Sequence, residues 1–332
     1  MTEEKGRHKA PGRQSKHTLC LVPHTAVRPV WRWIFPSVIG FCSSLLFVPA
    51  APALIGGQID SDERYRSVVS LIGGSSIRCS GTKIAKRSFL TAAHCVTDTS
   101  TGGTAKGFLT GQDILVSNLV QPRGRSDYAR LKVESIRLDP RYQLALERFF
   151  KYKAERIRDY QKRYSGQDLE QRVRVLEANN HFTAGYPDIA IITVLEETAA
   201  IPAAKVDCHA LSTEESVQLV GYGIEGFAGA HSAHPAGFIA RRKWGETQVI
   251  RVDATNFYTY AHQMRAGSPS LAPGDSGGPV MREGRIVGIN GTVYGLHRVE
   301  AARSNMSVNL NGLGSADNGT GESGCREFFK DI

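Results

Sequence analysis

The sequence lacks the ligand clusters that would mark a metal-binding protein. Calcium needs several oxygen ligands, yet Asp127 is the only acid in the loop from Asn118 to Ala129. His231 and His234 have a ligand-like spacing, but no carboxylate or cysteine cluster accompanies them, so we interpret them as loop histidines. We therefore predict that the protein binds no metal ion.

A large net charge is also missing from most of the chain. The formal net charge of the 332 residues is +9 at pH 7, but residues 1–53 hold seven Lys/Arg against two Glu. That region accounts for +5, so residues 54–332 carry only +4. A mildly basic globular protein needs no nucleic-acid partner to explain its charge, and we predict none.

Cysteine is scarce, with six residues in the whole chain, of which Cys20 and Cys42 fall in the N-terminal region. The other four allow three different pairings. Two disulfides would imply an oxidising compartment. These four are Cys79, Cys95, Cys208 and Cys325.

The N-terminal region ends in an apolar, uncharged stretch, Ile34–Ala53. A basic flank, an apolar centre and the small residues of Ala51-Pro52-Ala53 predict a cleaved secretory signal, and hence a secreted or periplasmic protein. A retained membrane anchor is the alternative, because about twenty apolar residues can span a bilayer. The late prolines favour the signal, so we expect membrane contact only during export.

The segment Pro273–Pro279, with the sequence PGDSGGP, has the features of a serine nucleophile loop. Glycines permit a tight turn, and that turn can aim the backbone N–H groups of Gly274 and Ser276 at an oxyanion. A serine also needs a histidine base and a carboxylate that holds the base. His94 ends the apolar run LTAAHC, and Asp188 opens the strand-like run DIAII.

The order His94, Asp188, Ser276 differs from the order in subtilisin-like enzymes and α/β-hydrolases. From about Leu54 to the C-terminus the chain resembles the chymotrypsin/trypsin family of serine endopeptidases. Many short strands separated by glycine-rich turns indicate an all-β barrel or sandwich. The resemblance implies two six-stranded antiparallel barrels with the triad in the cleft between them.

The resemblance also implies a domain organisation and a disulfide pattern. We expect a peptidase domain over residues 54–332, with a first barrel at about 54–200 and a second at about 201–332. The family pattern pairs Cys79 with Cys95, and Cys208 with Cys325. Residues 325–332 resemble the family's C-terminal helix.

Between Tyr142 and Phe182 the chain departs from the family by about forty extra residues. Aromatic and aliphatic residues recur there at helical spacing and form one stripe, Ser165-Gly166 interrupts it, and Asp168 is suited to cap a second helix. The residues of this helical stripe are Tyr142, Leu146, Phe150, Ile157, Tyr160 and Tyr164. We predict a helical hairpin over residues 143–182. A lid or a protein-binding exosite is one interpretation; a solvated decoration packed on the barrel is the one that we favour.

The residue at the floor of the specificity pocket, six before the nucleophile, is Ser270. Cleavage after Lys or Arg would need a buried carboxylate there, because a cationic side chain is costly to desolvate without a partner. Val293 lies where larger pockets have glycine, which favours small aliphatic P1 residues. An insertion that moved Gly295 into that place would reverse this preference.

Two residues depart from the family pattern near the triad. Gly291 replaces the serine that usually supports the catalytic aspartate, and the neighbouring Thr292 is a candidate substitute. Ala272 replaces a pocket cysteine, so the pocket lacks its usual disulfide. The segment from Asn290 to Val293 resembles the one that pairs with the substrate backbone as an added strand.

The family's activation step implies two further residues. The new N-terminal amine, here that of Leu54, turns inward and pairs with the aspartate before the nucleophile, here Asp275. Ala51 and Ala53 satisfy the small-residue rule for signal cleavage directly before Leu54. A cut after Ala50 also fits the rule and would leave a tripeptide to be trimmed. A buried ammonium and carboxylate then stabilise one another.

The sequence therefore predicts a secreted, monomeric serine endopeptidase that hydrolyses protein or peptide substrates through an acyl-enzyme and needs no cofactor. The alternative is a catalytically silent homologue that serves as a binding module. We interpret the glycosylation sequons at Asn290, Asn305 and Asn318 as chance matches.

Overall fold

The computed structural model of the protein describes residues 54–74, 77–98, 101–178, 186–223, 240–294, 304–314 and 321–332. Several sequence-based expectations fall outside these residues, namely the signal in 1–53, His231, His234, Gly295, Asn318 and the end of the hairpin at 179–182. Among the described residues no helix is both long enough and apolar enough to cross a membrane.

A short strand, β1 (Gln58–Ile59), precedes a closed antiparallel barrel of six strands. These strands are β2 (Val68–Gly73), β3 (Ile77–Lys83), β4 (Ser88–Thr91), β5 (Asp113–Ser117), β6 (Ala129–Leu138) and β7 (Ala190–Val194). Around the barrel they follow the order β2, β3, β4, β7, β6, β5. Their β-branched and aromatic residues suit a pleated surface that is buried on the inside, and every residue of β4 is buried.

The second half of the chain forms another closed barrel. Its strands are β8 (Lys205–Val206), β9 (Ser216–Gly221), β10 (Lys243–Val252), β11 (Asn256–Tyr260), β12 (Pro279–Arg282), β13 (Arg285–Tyr294) and β14 (Ser304–Asn309). Strands β9, β10, β11, β14, β13 and β12 close the ring, while β8 adds to β13. The predicted fold of two six-stranded antiparallel barrels is confirmed.

Segments from both ends of the domain cross to the other barrel. Strand β1 pairs with β10 of the second barrel, and the fully buried Arg242 donates to Asp60 at 2.7 Å beside it. At the other end, helix α3 (Glu322–Phe329) packs Phe328 against the core that contains the first barrel. The C-terminal helix was expected at 325–332, so it begins three residues earlier.

The insertion forms two helices, as the sequence predicted. Helix α1 (Pro140–Arg163) begins after Asp139, whose carboxylate accepts from the N–H of Arg141 at 2.9 Å, and helix α2 (Gly166–Ala178) follows. The prediction that Asp168 caps α2 is wrong, because Asp168 lies inside the first turn and pairs with Arg172. An acid there still favours the helix, because it faces the positive end of the helix dipole.

Candidate active site

Pairing between β4 and β7 brings His94 and Asp188 together. Thr91 at the end of β4 is opposite Ala190 at the start of β7. His94 follows Thr91 by three residues, in a short 3₁₀ turn, and Asp188 precedes Ala190 by two. Because the two strands are antiparallel, both residues lie at the same end of the first barrel.

The Asp188 carboxylate holds His94 at two points. One oxygen accepts from the backbone N–H of His94 at 2.8 Å, and the other lies 2.5 Å from the ring Nδ1. Asp188 is buried, while the His94 side chain is about one-third exposed. Burial lowers the pKa of His94, but the charge and hydrogen bond of Asp188 outweigh it, so the pKa lies above its usual value. With Nδ1 bonded to the carboxylate, Nε2 is left to exchange protons with a substrate.

Ser276 comes from the second barrel, in the loop between β11 and β12. The first barrel holds this loop, since Ser80 on β3 donates its backbone N–H to the Ser276 carbonyl at 2.8 Å. That carbonyl lies 3.8 Å from Sγ of Cys95, the residue after His94. The structure thus brings His94, Asp188 and Ser276 to one place between the barrels.

The glycines of the nucleophile loop are required by close packing. Gly277 has φ +84°, and a Cβ there would lie 2.1 Å from Oγ1 of Thr91 and 2.3 Å from the Ser80 carbonyl oxygen. Gly274 has φ +99°, a backbone conformation that residues with a Cβ rarely adopt. The PGDSGGP pattern is therefore the sequence signature of a loop pressed against the other barrel.

The hydroxyl of Ser276 is turned away from the base in this structure. It donates to the carbonyl of Gly291 at 3.1 Å, and no hydrogen bond joins it to His94. The N–H groups of Gly274 and Ser276 make no hydrogen bond to any residue in the described part of the chain. Both donors therefore remain available to a substrate oxygen.

Gly291 lies at an irregularity of β13, between Asn290 and Thr292, where the register with β14 shifts. Thr292 was the candidate replacement for a serine that supports Asp188. Within the described residues its side chain makes no hydrogen bond to that carboxylate, so this expectation is wrong. The strand places Thr292 beside the site but does not direct its hydroxyl to Asp188.

The expected pocket-floor residue, Ser270, is buried, and its hydroxyl accepts from the N–H of His262 at 2.9 Å. Its backbone exchanges two hydrogen bonds with Ile55, at 2.8 and 2.9 Å. Val293 is half-buried and packs against the core of the second barrel. The N-terminal segment and the pocket floor are thus tied to each other directly.

Asn305 holds the residues on either side of Ser270 by hydrogen bonds. Its fully buried amide accepts from Leu271 N–H at 2.8 Å and donates to Pro269 O at 2.9 Å and to Tyr260 O at 3.0 Å. The sequence identified this residue only as part of a sequon. A side chain that is buried and fully hydrogen-bonded is not accessible for glycosylation in the folded protein.

Asp275, beside the nucleophile, is completely buried. Its carboxylate accepts from the N–H groups of Gly223 at 2.7 Å and Ala272 at 2.9 Å, and from the backbone N–H of Leu54. Burial raises its pKa to about 6, although these hydrogen bonds and the charge of Lys243 act in the opposite direction. The structure therefore brings together Leu54 and Asp275, the pair that the resemblance implied.

The described residues contain two disulfides, with the pairing that the resemblance implied. Cys79–Cys95 joins β3 to the turn that carries His94. Cys208–Cys325 joins the connection between the barrels to α3. The first bond thus fixes the histidine turn directly.

Sequence reasoning missed two residues that contact the site. Ser80 follows Cys79, and its buried hydroxyl contacts the nucleophile loop. Tyr142, in the first turn of α1, is buried with its hydroxyl 3.3 Å from Thr97 Oγ1. Burial, followed by the negative charge of Asp188, raises the pKa of Tyr142. The helical stripe indicated that Tyr142 would be buried, but not that it would lie near the aspartate.

Comparison with known proteins agrees with this description. The trypsin family model matches residues 54–144. Human heparin binding protein is similar in structure, at 14% sequence identity and a TM-score of 0.51, over 83% of this chain and 95% of that one. A Glu endopeptidase structure matches at 15% identity and a TM-score of 0.47, over 76% of this chain and 90% of that one. A comparison with curated protein sequences finds no match.

The fold and the family match define the class of protein. The two barrels are those of the chymotrypsin fold, and the match over five of the six strands of the first barrel supports a trypsin/chymotrypsin-like family, as the sequence predicted. The trypsin family match over residues 54–144 supports a serine protease type of function. The disulfides and the family suggest an extracellular or secreted protein.

Proposed function

We propose that the protein is a secreted serine endopeptidase with His94, Asp188 and Ser276 as its catalytic triad. One observation carries this proposal: a buried carboxylate orients a partly exposed histidine next to the loop that holds Ser276. A packing role explains neither the partly exposed imidazole of His94 nor the two N–H groups of the nucleophile loop that bond to no described residue.

In the proposed mechanism the Ser276 hydroxyl attacks the scissile carbonyl while His94 accepts its proton. The oxygen that becomes negative accepts hydrogen bonds from the N–H groups of Gly274 and Ser276. His94 then donates the proton to the leaving amine, and water releases the acyl group by the same steps. Asp188 stays ionised throughout and stabilises the imidazolium.

The attack requires the Ser276 hydroxyl to leave Gly291 and turn toward His94. Side-chain rotations take picoseconds to nanoseconds, which is short compared with a typical catalytic cycle. Catalytic hydrogen bonds often tighten only when substrate is present. The orientation in this structure is therefore compatible with the proposed mechanism.

A fluorophosphonate tests the proposal directly, because it labels only an activated serine in a working oxyanion hole. The processed protein should label at Ser276, and Ser276→Ala should abolish the labelling. Ser70→Ala, which removes a buried serine hydroxyl of the first barrel, is the matched control and should label normally. Absence of labelling in folded, processed protein would contradict the proposal.

A binding module without activity is the second candidate. Two observations favour it: the Ser276 hydroxyl is bonded to Gly291 rather than to the base, and one similar structure is named for heparin binding. An anionic polysaccharide would be its ligand. Unlabelled protein that bound heparin in a salt-dependent way would support this candidate.

We further propose that the peptidase cleaves after small or apolar P1 residues. The floor residue Ser270 offers no charge, and its hydroxyl is already bonded to His262. A library of peptides that vary only at P1 should show Ala, Val or Leu well above Lys and Arg. Dominant cleavage after basic residues would show that the pocket has been assigned wrongly.

Export is the proposed route of activation. Cleavage directly before Leu54 would place a new ammonium where the Leu54 N–H already meets the Asp275 carboxylate. Leu54 itself is fully buried, with φ +45°. Mass spectrometry of active, newly exported protein should find Leu54 as the first residue. An active protein that begins well upstream would contradict this route.

A further inference from the structure

Ser80 is a buried polar residue that the proposed mechanism has not used. It lies on β3 of the first barrel, and its side chain is fully buried. Its hydroxyl donates to the Gly274 carbonyl at 2.8 Å and accepts from the Tyr222 N–H at 2.8 Å. Buried hydroxyls are costly to leave unpaired, and this one has both a donor and an acceptor partner.

The backbone of Ser80 holds the other end of the same loop. Its N–H donates to the Ser276 carbonyl at 2.8 Å, and its own carbonyl accepts from Oγ1 of Thr91 at 2.8 Å. Gly274 and Ser276 are the two residues whose N–H groups are assigned to the oxyanion hole. A single residue of the opposite barrel therefore contacts both of them.

The Gly274–Asp275 peptide group is held at both of its polar atoms, since its N–H donates to the Ala272 carbonyl at 3.0 Å and its carbonyl accepts from the Ser80 hydroxyl. Glycine has more accessible backbone conformations than any other residue, so sterics alone do not fix the peptide group that joins Gly274 to Asp275. If that group turned, the flanking N–H donors would no longer point to the same place. Stabilisation of an oxyanion depends on donors that are already in position before the reaction.

We propose that Ser80 is a positioning residue of the oxyanion hole. Its hydroxyl fixes the Gly274–Asp275 peptide group, and its backbone N–H fixes Ser276, so that both donors converge on one substrate oxygen. This inference rests on the proposed peptidase function of the same site. Ser80 touches no reacting atom, so its effect should appear in the transition state and not in substrate binding.

The test compares two inhibitors on Ser80→Ala in the processed protein. A peptide aldehyde forms an adduct with Ser276 that occupies the oxyanion hole, whereas the corresponding peptide alcohol fills the same subsites without an adduct. We expect about a tenfold loss in kcat and in aldehyde affinity, less than the hundred- to thousandfold cost of removing a donor itself. KM and alcohol affinity should change by less than about twofold, since uniform binding is unaffected.

Ser70→Ala is the matched control. Ser70 lies opposite Ser80 on the neighbouring strand β2, is also buried, and pairs with the Tyr128 hydroxyl at 3.2 Å. It makes no hydrogen bond to the nucleophile loop within the described residues. Its ratio of aldehyde to alcohol affinity should equal that of the wild type.

If the ratio of aldehyde affinity to alcohol affinity is the same in Ser80→Ala as in Ser70→Ala, Ser80 is not a positioning residue. Should Ser80→Ala not fold, Ser80→Gly removes the same hydroxyl with less bulk, and its ratio is interpreted in the same way. Fluorophosphonate labelling separates the two proposals. A wild type that does not label contradicts the peptidase function, and the role of Ser80 with it; a labelled variant with an unchanged ratio contradicts only the role of Ser80.

Discussion

The nucleophile loop and the inserted hairpin differ in how they contact the rest of the molecule. The loop is held by hydrogen bonds from the first barrel, from Asn290 on β13 and within itself. The hairpin is held mainly at its base, where Tyr142, Ala145 and Leu146 of α1 are buried. Beyond Phe150 its helices have partly or fully exposed residues throughout, as far as side chains are described.

The nucleophile loop tolerates few residue types because it is tightly packed, whereas the outer hairpin tolerates many because its contacts are exposed. In the loop, a single added methyl group at Gly277 would overlap two neighbours. In the outer hairpin, cations stack on aromatic rings, as Arg172 does on Tyr164 at 3.9 Å, and pairs such as Arg163–Asp159 remain exposed. Exposed ion pairs contribute little to stability. Substitutions should therefore have large effects in the first region and small effects in the second.

The largest effect should follow from removing the nucleophile. We expect Ser276→Ala to lower kcat about a millionfold, the scale found when a triad nucleophile is lost. Because triad members act together, adding His94→Ala should lower kcat little further. Peptide hydrolysis by purified single and double variants checks this. Activity of a clean Ser276→Ala preparation near that of the wild type would exclude the triad.

A smaller effect should follow from the state of the N-terminus. In the uncleaved chain the pKa of Asp275 is raised to about 6 by burial. A raised folded-state pKa means that the folded protein binds the proton more tightly, so stability should fall as pH rises from about 4 to about 6. A difference of about two in pKa between the folded and unfolded states corresponds to about 3 kcal/mol in the free energy of unfolding.

Protein that begins at Leu54 should not show this fall. Its ammonium favours the ionised carboxylate and lowers the pKa, so the contribution of Asp275 to stability should be lost only below about pH 4, the unfolded pKa, and stay level from about 4 to about 6. Urea unfolding of the two forms between pH 4 and 7 measures the difference. Asp275→Asn should remove it, and identical pH profiles of the two forms would contradict the pairing.

The smallest effect should follow from shortening the hairpin. If Lys153 is joined to Val173 by a short Gly/Ser linker, we expect kcat/KM on a small peptide to stay within about twofold and stability within about 1 kcal/mol, because exposed residues contribute little. Leu146→Ala at the hairpin base is the contrast and should cost about 2–5 kcal/mol.

The same shortened variant distinguishes the two interpretations of the hairpin. If the hairpin is a decoration, cleavage of a protein substrate should be unaffected as well. Loss of protein cleavage with normal peptide cleavage would instead identify an exosite. Both substrates should therefore be measured on one preparation.

Most of the fold could be predicted because its signals are local. Short strand-forming runs separated by glycine-rich turns predicted strands, and Gly284, with a φ of 75°, lies in the turn between β12 and β13. The stripe of α1 predicted its buried face, since helical periodicity depends only on spacing. The error at Asp168 has a local cause too, because the helix begins at Gly166, three residues earlier than that cap required.

The candidate site was predicted less completely. His94, Asp188 and Ser276 stand in motifs whose residue types are demanded by chemistry, so the sequence alone identified them as the candidate triad. Ser80 and Asn305 have no such motif, and a buried serine or asparagine resembles any other in sequence. Their roles depend on which carbonyl or N–H groups the folded chain places within 3 Å.

The sequence by itself thus determined the all-β class and the candidate triad, since each follows from local pattern and residue chemistry. The two-barrel arrangement and the position of the insertion followed from the resemblance to the family. Only the tertiary structure decided that the Ser276 hydroxyl bonds to Gly291, that Thr292 does not reach Asp188, and that Ser80 spans the nucleophile loop. The physical reason is that hydrogen bonds depend on separations of a few tenths of an ångström. Such separations are set by the packing of two barrels whose strands are far apart in sequence.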